Sequence, residues 1–121
     1  AGPSAPSGGE AVIIGLIGGL IVYASILFFD RTLKIDDPVG AISAHGIVGI
    51  FGVMVVPFTN ADASLLTQLY GVVAIGGFGF LASYASVYLI NLVMPIRASD
   101  EEQSVGLDVS EIGVEAYPEF K

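Results

Sequence analysis

The chain has 121 residues, of which 54% are hydrophobic and 13% are charged, and its mean hydropathy is +0.80. Soluble domains carry charge on about 25% of their residues, so water is the wrong solvent for most of this chain. Its formal net charge of −8, with only four Lys and Arg residues, excludes the basic surface that nucleic-acid binding requires. The apolar residues fall in blocks, which is typical of membrane-spanning helices.

The chain opens with a polar segment that leads into the first apolar block. Residues 1–10 (AGPSAPSGGE) are rich in Pro, Gly and Ser and predict a loop. Because this loop begins without Met and lacks a signal-peptide pattern, we expect the chain to be part of a longer protein. Residues 11–29 are uncharged and would form about 28 Å of helix, which matches a hydrocarbon core of about 30 Å. They predict the first transmembrane helix.

A charged connection separates the first apolar block from the second. Residues 30–38 carry five charges and a proline, whereas residues 39–58 contain His45 as their only ionisable group. The second block therefore predicts a second transmembrane helix. Three residues at its start match a helix N-terminal cap with Pro in the first turn, and they also place acidic groups at the mouth of this helix: Asp36, Asp37 and Pro38.

The third apolar block is longer than a bilayer requires. Residues 59–63 (TNADA) predict a turn, and residues 64–96 then carry no formal charge. This block would form about 50 Å of helix, so the third predicted helix must tilt, kink near its glycine cluster or project beyond the bilayer. Residues 97–121 predict an acidic tail.

The basic residues all fall on one side of the three predicted helices: Arg31, Lys34, Arg97 and Lys121. By the positive-inside tendency this side is the cytoplasm. The sequence therefore predicts a multi-pass protein of the cell membrane with a cytoplasmic C-terminus. The 30–38 connection would be cytoplasmic, and the 1–10 loop and 59–63 turn would lie outside.

His45 is the residue most suited to chemistry, because it lies seven residues into the second predicted helix, about 10 Å deep. One interpretation is a neutral imidazole that hydrogen-bonds a neighbouring helix. The other is a pathway residue, because ionisable groups within membranes tend to line substrate or proton routes. Gly49 and Gly52 follow at i+4 and i+7 on the same face, which predicts a narrow, smooth strip beside the imidazole.

Other motifs indicate helix packing and give no sign of catalysis. Gly15 and Gly19 form a GxxxG pattern, which is typical of close-packed membrane helices, so we expect further helices as partners. The chain shows no nucleophile motif, phosphate-binding loop or catalytic carboxylate pair, so we do not expect an enzyme. With one His and no Cys, it cannot build a multi-histidine metal or haem site alone, and no cofactor is predicted.

Three stretches resemble the C-terminal quarter of ammonium transporters of the Amt/Mep/Rh family: LKIDDPVGAISAHGIVGIFG at 33–52, QLYGV at 68–72 and GLDVSEIGVEAY at 106–117. The resemblance covers essentially the whole chain. It implies an all-α membrane protein in which this chain supplies the last three of eleven transmembrane helices and a short cytoplasmic tail. It also implies a homotrimer that contains the remaining helices.

The resemblance further implies that ammonium or ammonia passes a mid-membrane histidine pair, of which this chain contains only His45. Alone, the chain should conduct nothing. Five tail residues match the family's coupling motif: Gly106, Leu107, Asp108, Gly113 and Tyr117. The same cytoplasmic face docks PII-type regulators in many bacterial members. The family often has His-Gly-Glu where this chain has Ile-Gly-Val at 112–114.

Two other classes of function are compatible with the residues. The chain could belong to an ammonium-sensing or scaffold subunit whose acidic tail recruits a soluble partner. A redox subunit with His45 as a metal or haem ligand would need a second ligand from elsewhere. Within the transporter reading, the sequence leaves open whether ammonia or ammonium is the species carried.

Overall fold

The computed structural model describes residues 2–119, so that Ala1 of the predicted loop and Phe120 and Lys121 of the predicted tail lie outside the described residues. All regular secondary structure in 2–119 is helical, which confirms the predicted all-α fold. Two helices are long and apolar enough to cross a membrane: the first long helix (Gly8–Leu33) and the second long helix (Leu65–Val93). Between them lies a shorter apolar helix, the His45 helix (Ala41–Met54).

The first long helix begins before its apolar block because a capping box fixes its start. The Ser7 hydroxyl accepts a hydrogen bond from the backbone N–H of Glu10 (3.4 Å), and the Glu10 carboxylate accepts one from the backbone N–H of Ser7 (2.7 Å). The helix therefore begins at Gly8, earlier than residue 11. It is α-helical to Leu27 and π-helical over Phe28–Leu33, and it ends at Lys34, whose φ of 53° is left-handed.

The predicted helix 39–58 is divided in two. The His45 helix ends at Met54, and a short helix, Val56–Thr59, follows. Pro57 explains this division, because proline has no backbone N–H with which to continue the helical ladder. The His45 helix is also π-helical over its first part, Ala41–Ile47.

The second long helix starts at Leu65, where the Ser64 hydroxyl accepts a hydrogen bond from the backbone N–H of Thr67 (3.2 Å). Near the glycine cluster, where the sequence allows a kink, the helix widens into a π-helical stretch over Val72–Gly76. It ends at Val93, earlier than residue 96, because Pro95 disfavours helical backbone at the residue before it.

The chain forms two compact units, residues up to Phe78 and residues from Gly79 onward. In the first unit the His45 helix packs against the first long helix and against the start of the second. The contact with the first long helix runs through Gly18, since a Cβ there would lie 3.5 Å from Val48 Cγ1. The predicted GxxxG residues, Gly15 and Gly19, have no such neighbour within 4 Å in the described part of the chain.

The second unit contains the end of the second long helix and the tail. Ser99 and Glu102 form another capping box, which starts a helix at Asp100–Val105. A π-helical turn follows at Asp108–Ile112. The tail thus has regular local structure despite its acidity.

Candidate functional site

The loop before the His45 helix is closed by a turn at Asp37. The backbone N–H of Gly40 donates to the backbone carbonyl of Asp37 (2.9 Å), so Pro38 lies inside this turn. This differs from the predicted first helical turn, because the helix begins only at Ala41. A proline at the second position of a turn is favourable, since its fixed φ matches that position.

Gly40 rather than Asp37 occupies the N-cap position of the His45 helix, and its φ of 66° is left-handed. A side chain here would be strained in any surroundings, because L residues avoid this region. The carbonyl of Gly40 accepts a hydrogen bond from the backbone N–H of Ala44 (2.7 Å). Sequence reasoning missed the role of Gly40, although a Gly three residues after an Asp is a common turn signal.

Asp37 caps the helix from outside through its side chain. Its two carboxylate oxygens accept hydrogen bonds from the backbone N–H groups of Ile42 (3.1 Å) and Ser43 (3.0 Å). Desolvation acts to raise the pKa of Asp37, but the hydrogen bonds from Ser43 and Ile42 together hold it below its usual value. Asp37 is therefore ionised at neutral pH. Asp36, its neighbour, accepts no hydrogen bond from the described residues.

Ser43 is the one fully buried side chain among residues 2–119. Its hydroxyl lies near Asp37 and contributes to lowering the pKa of that carboxyl, but its Oγ forms no hydrogen bond of good geometry with the described residues. Sequence reasoning missed Ser43, because a serine in an apolar helix gives no signal of which side is buried.

His45 lies two residues after Ser43, and residues two apart leave a helix on nearly opposite sides. Accordingly Ser43 is buried, whereas His45 is exposed. The open strip continues along the helix, because a Cβ at Gly49 would meet no atom within 4 Å. An imidazole in this place offers one N–H donor and one nitrogen lone pair to a partner beyond this chain.

Among the predicted tail residues, Asp108 forms the hydrogen bonds that organise the tail. Its carboxylate accepts hydrogen bonds from the backbone N–H groups of Ala116 (2.7 Å) and Val109 (3.0 Å), and both hold the pKa of Asp108 below its usual value. The tail chain thereby folds back on itself across the π-helical turn. The backbone N–H of Val114 also donates to the Asp108 carbonyl (3.3 Å).

Glycines are required at both ends of this turn. Gly106 has φ 103° and Gly113 has φ 75°, values that favour glycine. A Cβ at Gly106 would also lie 2.7 Å from Asp108 Oδ1. Two other members of the predicted tail set, Leu107 and Tyr117, are exposed to different degrees, 45% and 73%.

Within 2–119, no three His, Asp or Glu side chains come together as a group that could hold a metal ion. The His45 helix thus presents one ionisable side chain, His45, and the ionised carboxylate of Asp37 precedes it in the loop.

Comparisons with a family model and with individual known proteins point to the same family. The model of the Ammonium Transporter Family matches residues 5–117. Similar proteins are the ammonium transporter Amt1 of Haloferax mediterranei, 34% identical over 90% of this chain; the ammonium transporter of Bacillus subtilis, 30% over 88%; and Amt1 of Archaeoglobus fulgidus, 31% over 88%. The chain spans only 22%, 30% and 30% of the lengths of these relatives. No solved structure matches the chain.

Proposed function

This chain belongs to the ammonium transporter family, and we propose that it forms the C-terminal part of a channel-like membrane transporter for ammonium or ammonia. The observation that supports this most directly is the placement of His45. It is the only histidine of the chain, it lies on an apolar helix, and its side chain is exposed in this chain. Such a residue suits a pore formed with further helices.

In the proposed pore, His45 pairs with a second histidine from the rest of the transporter. Two neutral imidazoles that share a hydrogen bond fix each other's tautomer, and each still presents one polar group to a passing molecule. An unpaired cation pays tens of kcal/mol to enter a medium of low dielectric, so an apolar pore favours neutral ammonia. If the proton crosses separately, the net species carried is ammonium; if the proton is left behind, the net species is ammonia.

The loop before the His45 helix has two tasks in this mechanism. Asp37 holds the first helical turn by two hydrogen bonds, which positions the backbone from which His45 projects. Because Asp37 stays ionised, it also places negative charge at this end of the helix, where it raises the local concentration of cations. The position of His45 and the negative charge of Asp37 are both compatible with an ammonium route that ends near Asp36, Asp37 and Pro38.

The assembly and its regulation are part of the proposal. The transporter is a homotrimer in the cell membrane, with the tail and the 30–38 connection in the cytoplasm. The tail couples neighbouring subunits through its folded segment, in which Asp108 joins the turn to Ala116. We include a PII-type regulator as a candidate partner of this face. The fold of the tail supports these steps, because an acidic extension without partners has no need of a defined turn.

The proposal is tested by expressing the complete reading frame in a host strain that lacks its own ammonium transporters. We expect growth on low ammonium at acidic pH, where little free ammonia exists, and we expect a His45→Ala variant that assembles normally to change the rate or selectivity of uptake. No uptake by the assembled wild-type protein would overturn the transporter proposal. Such a result, combined with ammonium-dependent capture of a soluble partner by the tail, would favour the sensor or scaffold function instead.

A further inference from the structure

A cleft lies at the end of the second long helix, within the second unit, and the proposed pore does not use it. Its volume is about 650 Å³. The lining contains apolar, hydroxyl, amide and cationic groups but no acidic side chain, and it consists of Tyr84, Val87, Tyr88, Asn91, Ile96 and Arg97.

The cleft is built by a fold-back of the chain after the helix. Asn91 Oδ1 accepts a hydrogen bond from the backbone N–H of Ile96 (3.1 Å), so the segment that follows Pro95 turns back over the last helical turns. This brings Arg97 to the same cleft as Tyr88, nine positions earlier. Because the side-chain oxygen of Asn91 is engaged as an acceptor, its NH₂ group remains available as a donor.

Stacked aromatic rings continue from the cleft along the helix. The ring centroids of Tyr84 and Tyr88 are 6.4 Å apart with an interplanar angle of 10°, and Phe80 stacks on Tyr84 at 6.3 Å. These rings recur every four residues and therefore form one apolar stripe. Tyrosines near the end of a membrane helix are typical of the lipid headgroup level, where one part of the side chain is apolar and the other is hydrated.

Arg97 brings an uncompensated positive charge to this cleft. It forms no hydrogen bond or ion pair with any residue of the described part, although acidic residues follow closely in sequence. Glu102 is engaged instead in the capping box with Ser99. A guanidinium prefers a planar anionic partner such as a phosphate, which it can hold by two parallel hydrogen bonds.

We propose that this cleft binds an anionic phospholipid, with its phosphate at Arg97 and its upper acyl chain along Tyr84 and Val87. Three features select this occupant. The helix is long and apolar enough to cross a membrane, so its end lies where phospholipid phosphates are. The apolar lining residues can contact an acyl chain, whereas a free anion would make no contact with them. A zwitterionic headgroup would bring an ammonium group to a cleft that has a cation and no lining carboxylate.

The test uses the complete transporter, purified and reconstituted in nanodiscs of phosphatidylcholine with a minor fraction of phosphatidylglycerol. Native mass spectrometry counts each lipid bound per subunit, and titration with short-chain lipids gives the affinities. We expect Arg97→Gln to weaken phosphatidylglycerol binding about fivefold, the contribution of one basic residue near an anionic headgroup, and to leave phosphatidylcholine binding unchanged. Arg97→Lys should keep most of the affinity, because it retains the charge.

Arg31→Gln is the matched control, since it removes one exposed charge outside the cleft. We expect it to bind phosphatidylglycerol as the wild type does. Soluble glycerol phosphate at the same concentration should fail to displace the lipid, because it lacks the acyl chain. Equal binding of the two lipids, equal losses in Arg31→Gln and Arg97→Gln, or displacement by glycerol phosphate would overturn the proposal. The last result would identify a site for a free anion instead. Trimer yield, measured for all variants, shows whether a loss reflects binding or folding.

Discussion

The carboxylate of Asp37 accepts a hydrogen bond of 3.0 Å from the backbone N–H of Ser43, two residues before His45. Helix N-termini leave their first N–H groups without intrahelical partners, and Asp37 satisfies two of them. The start of the His45 helix, and with it the direction in which the imidazole projects, depends on this side chain.

We therefore expect Asp37→Ala to lower the melting temperature of the complete protein and to reduce its ammonium transport about tenfold, because small displacements of a positioned group have large effects on rate. Asp37→Asn should retain more of the transport, since an amide oxygen can still accept one of the two hydrogen bonds. Asp36→Ala is the control for loss of charge alone, because Asp36 accepts no hydrogen bond from the described residues. Equal losses in Asp36→Ala and Asp37→Ala would show that the charge of the loop matters rather than the cap.

Two variants of His45 distinguish a role in the pore from a structural role. Its exposure on this chain, beside the open space at Gly49, predicts that His45→Ala assembles as a trimer with altered rate or selectivity. His45→Glu should place a carboxylate in the pore and favour a charged passenger such as ammonium or potassium. Electrogenic currents and ion preference measure both effects. If His45 were structural, its loss would strand a partner at about 1–3 kcal/mol, and only the melting temperature would fall.

The sidedness of the chain is predicted by its basic residues and is measured by cysteine labelling. A cysteine introduced at Asn60 should react with an impermeant reagent in intact cells, whereas one at Thr32 should react only after permeabilisation. These 121 residues contain no native cysteine, so the introduced cysteine is the single reactive thiol among them in each variant. Labelling with the opposite pattern would reverse the predicted orientation.

The fold-back of the tail at Asp108 should depend on pH. The pKa of Asp108 is lowered in the folded tail by the N–H groups of Ala116 and Val109. Its contribution to the stability of the folded tail is therefore fully present above its unfolded pKa of about 3.9. The contribution is lost as the pH falls through the lower, folded pKa. Amide exchange of Ala116 in the complete protein should therefore be slow at neutral pH and approach that of a free peptide in acid, after correction for the intrinsic rate.

Asp108→Asn provides the matched variant for this measurement, because it keeps the size of the side chain but cannot titrate. We expect faster exchange of the Ala116 amide at neutral pH in this variant and no further change on acidification. Exchange as fast as a free peptide throughout 106–117 in the wild-type trimer at neutral pH would contradict an ordered tail.

Gly18 gives a test of the packing between the first long helix and the His45 helix. A Cβ at this position would lie 3.5 Å from Val48 Cγ1 and 4.0 Å from Phe51 Cε1, which are ordinary contact distances. Gly18→Ala should therefore fold with little loss of stability, whereas Gly18→Leu should overpack the contact and cost about 1–3 kcal/mol. Thermal unfolding measures the difference. Equal tolerance of both substitutions would show that the two helices do not meet at Gly18.

The sequence determined the class of protein and the approximate positions of its apolar helices. A hydrocarbon core of about 30 Å imposes long uncharged blocks, and such blocks are visible in one dimension. The all-α fold followed from these blocks, and the ammonium transporter family from the resemblance of three stretches, 33–52, 68–72 and 106–117; both are confirmed. The ends of the helices were less predictable, because local groups decide them: the Ser7–Glu10 capping box extends one helix, and Pro57 divides another.

Only the tertiary structure decided which sides of the helices face each other. Hydropathy assigns nearly equal character to all sides of a membrane helix, so it could not show that Ser43 is buried, that His45 lies on the opposite side, or that Gly18 rather than the GxxxG pair forms the contact. The cleft at Arg97 likewise depends on a chain reversal held by Asn91, five residues before Ile96. These relationships arise from hydrogen bonds and contacts between separated residues, and such contacts exist only once the chain has folded.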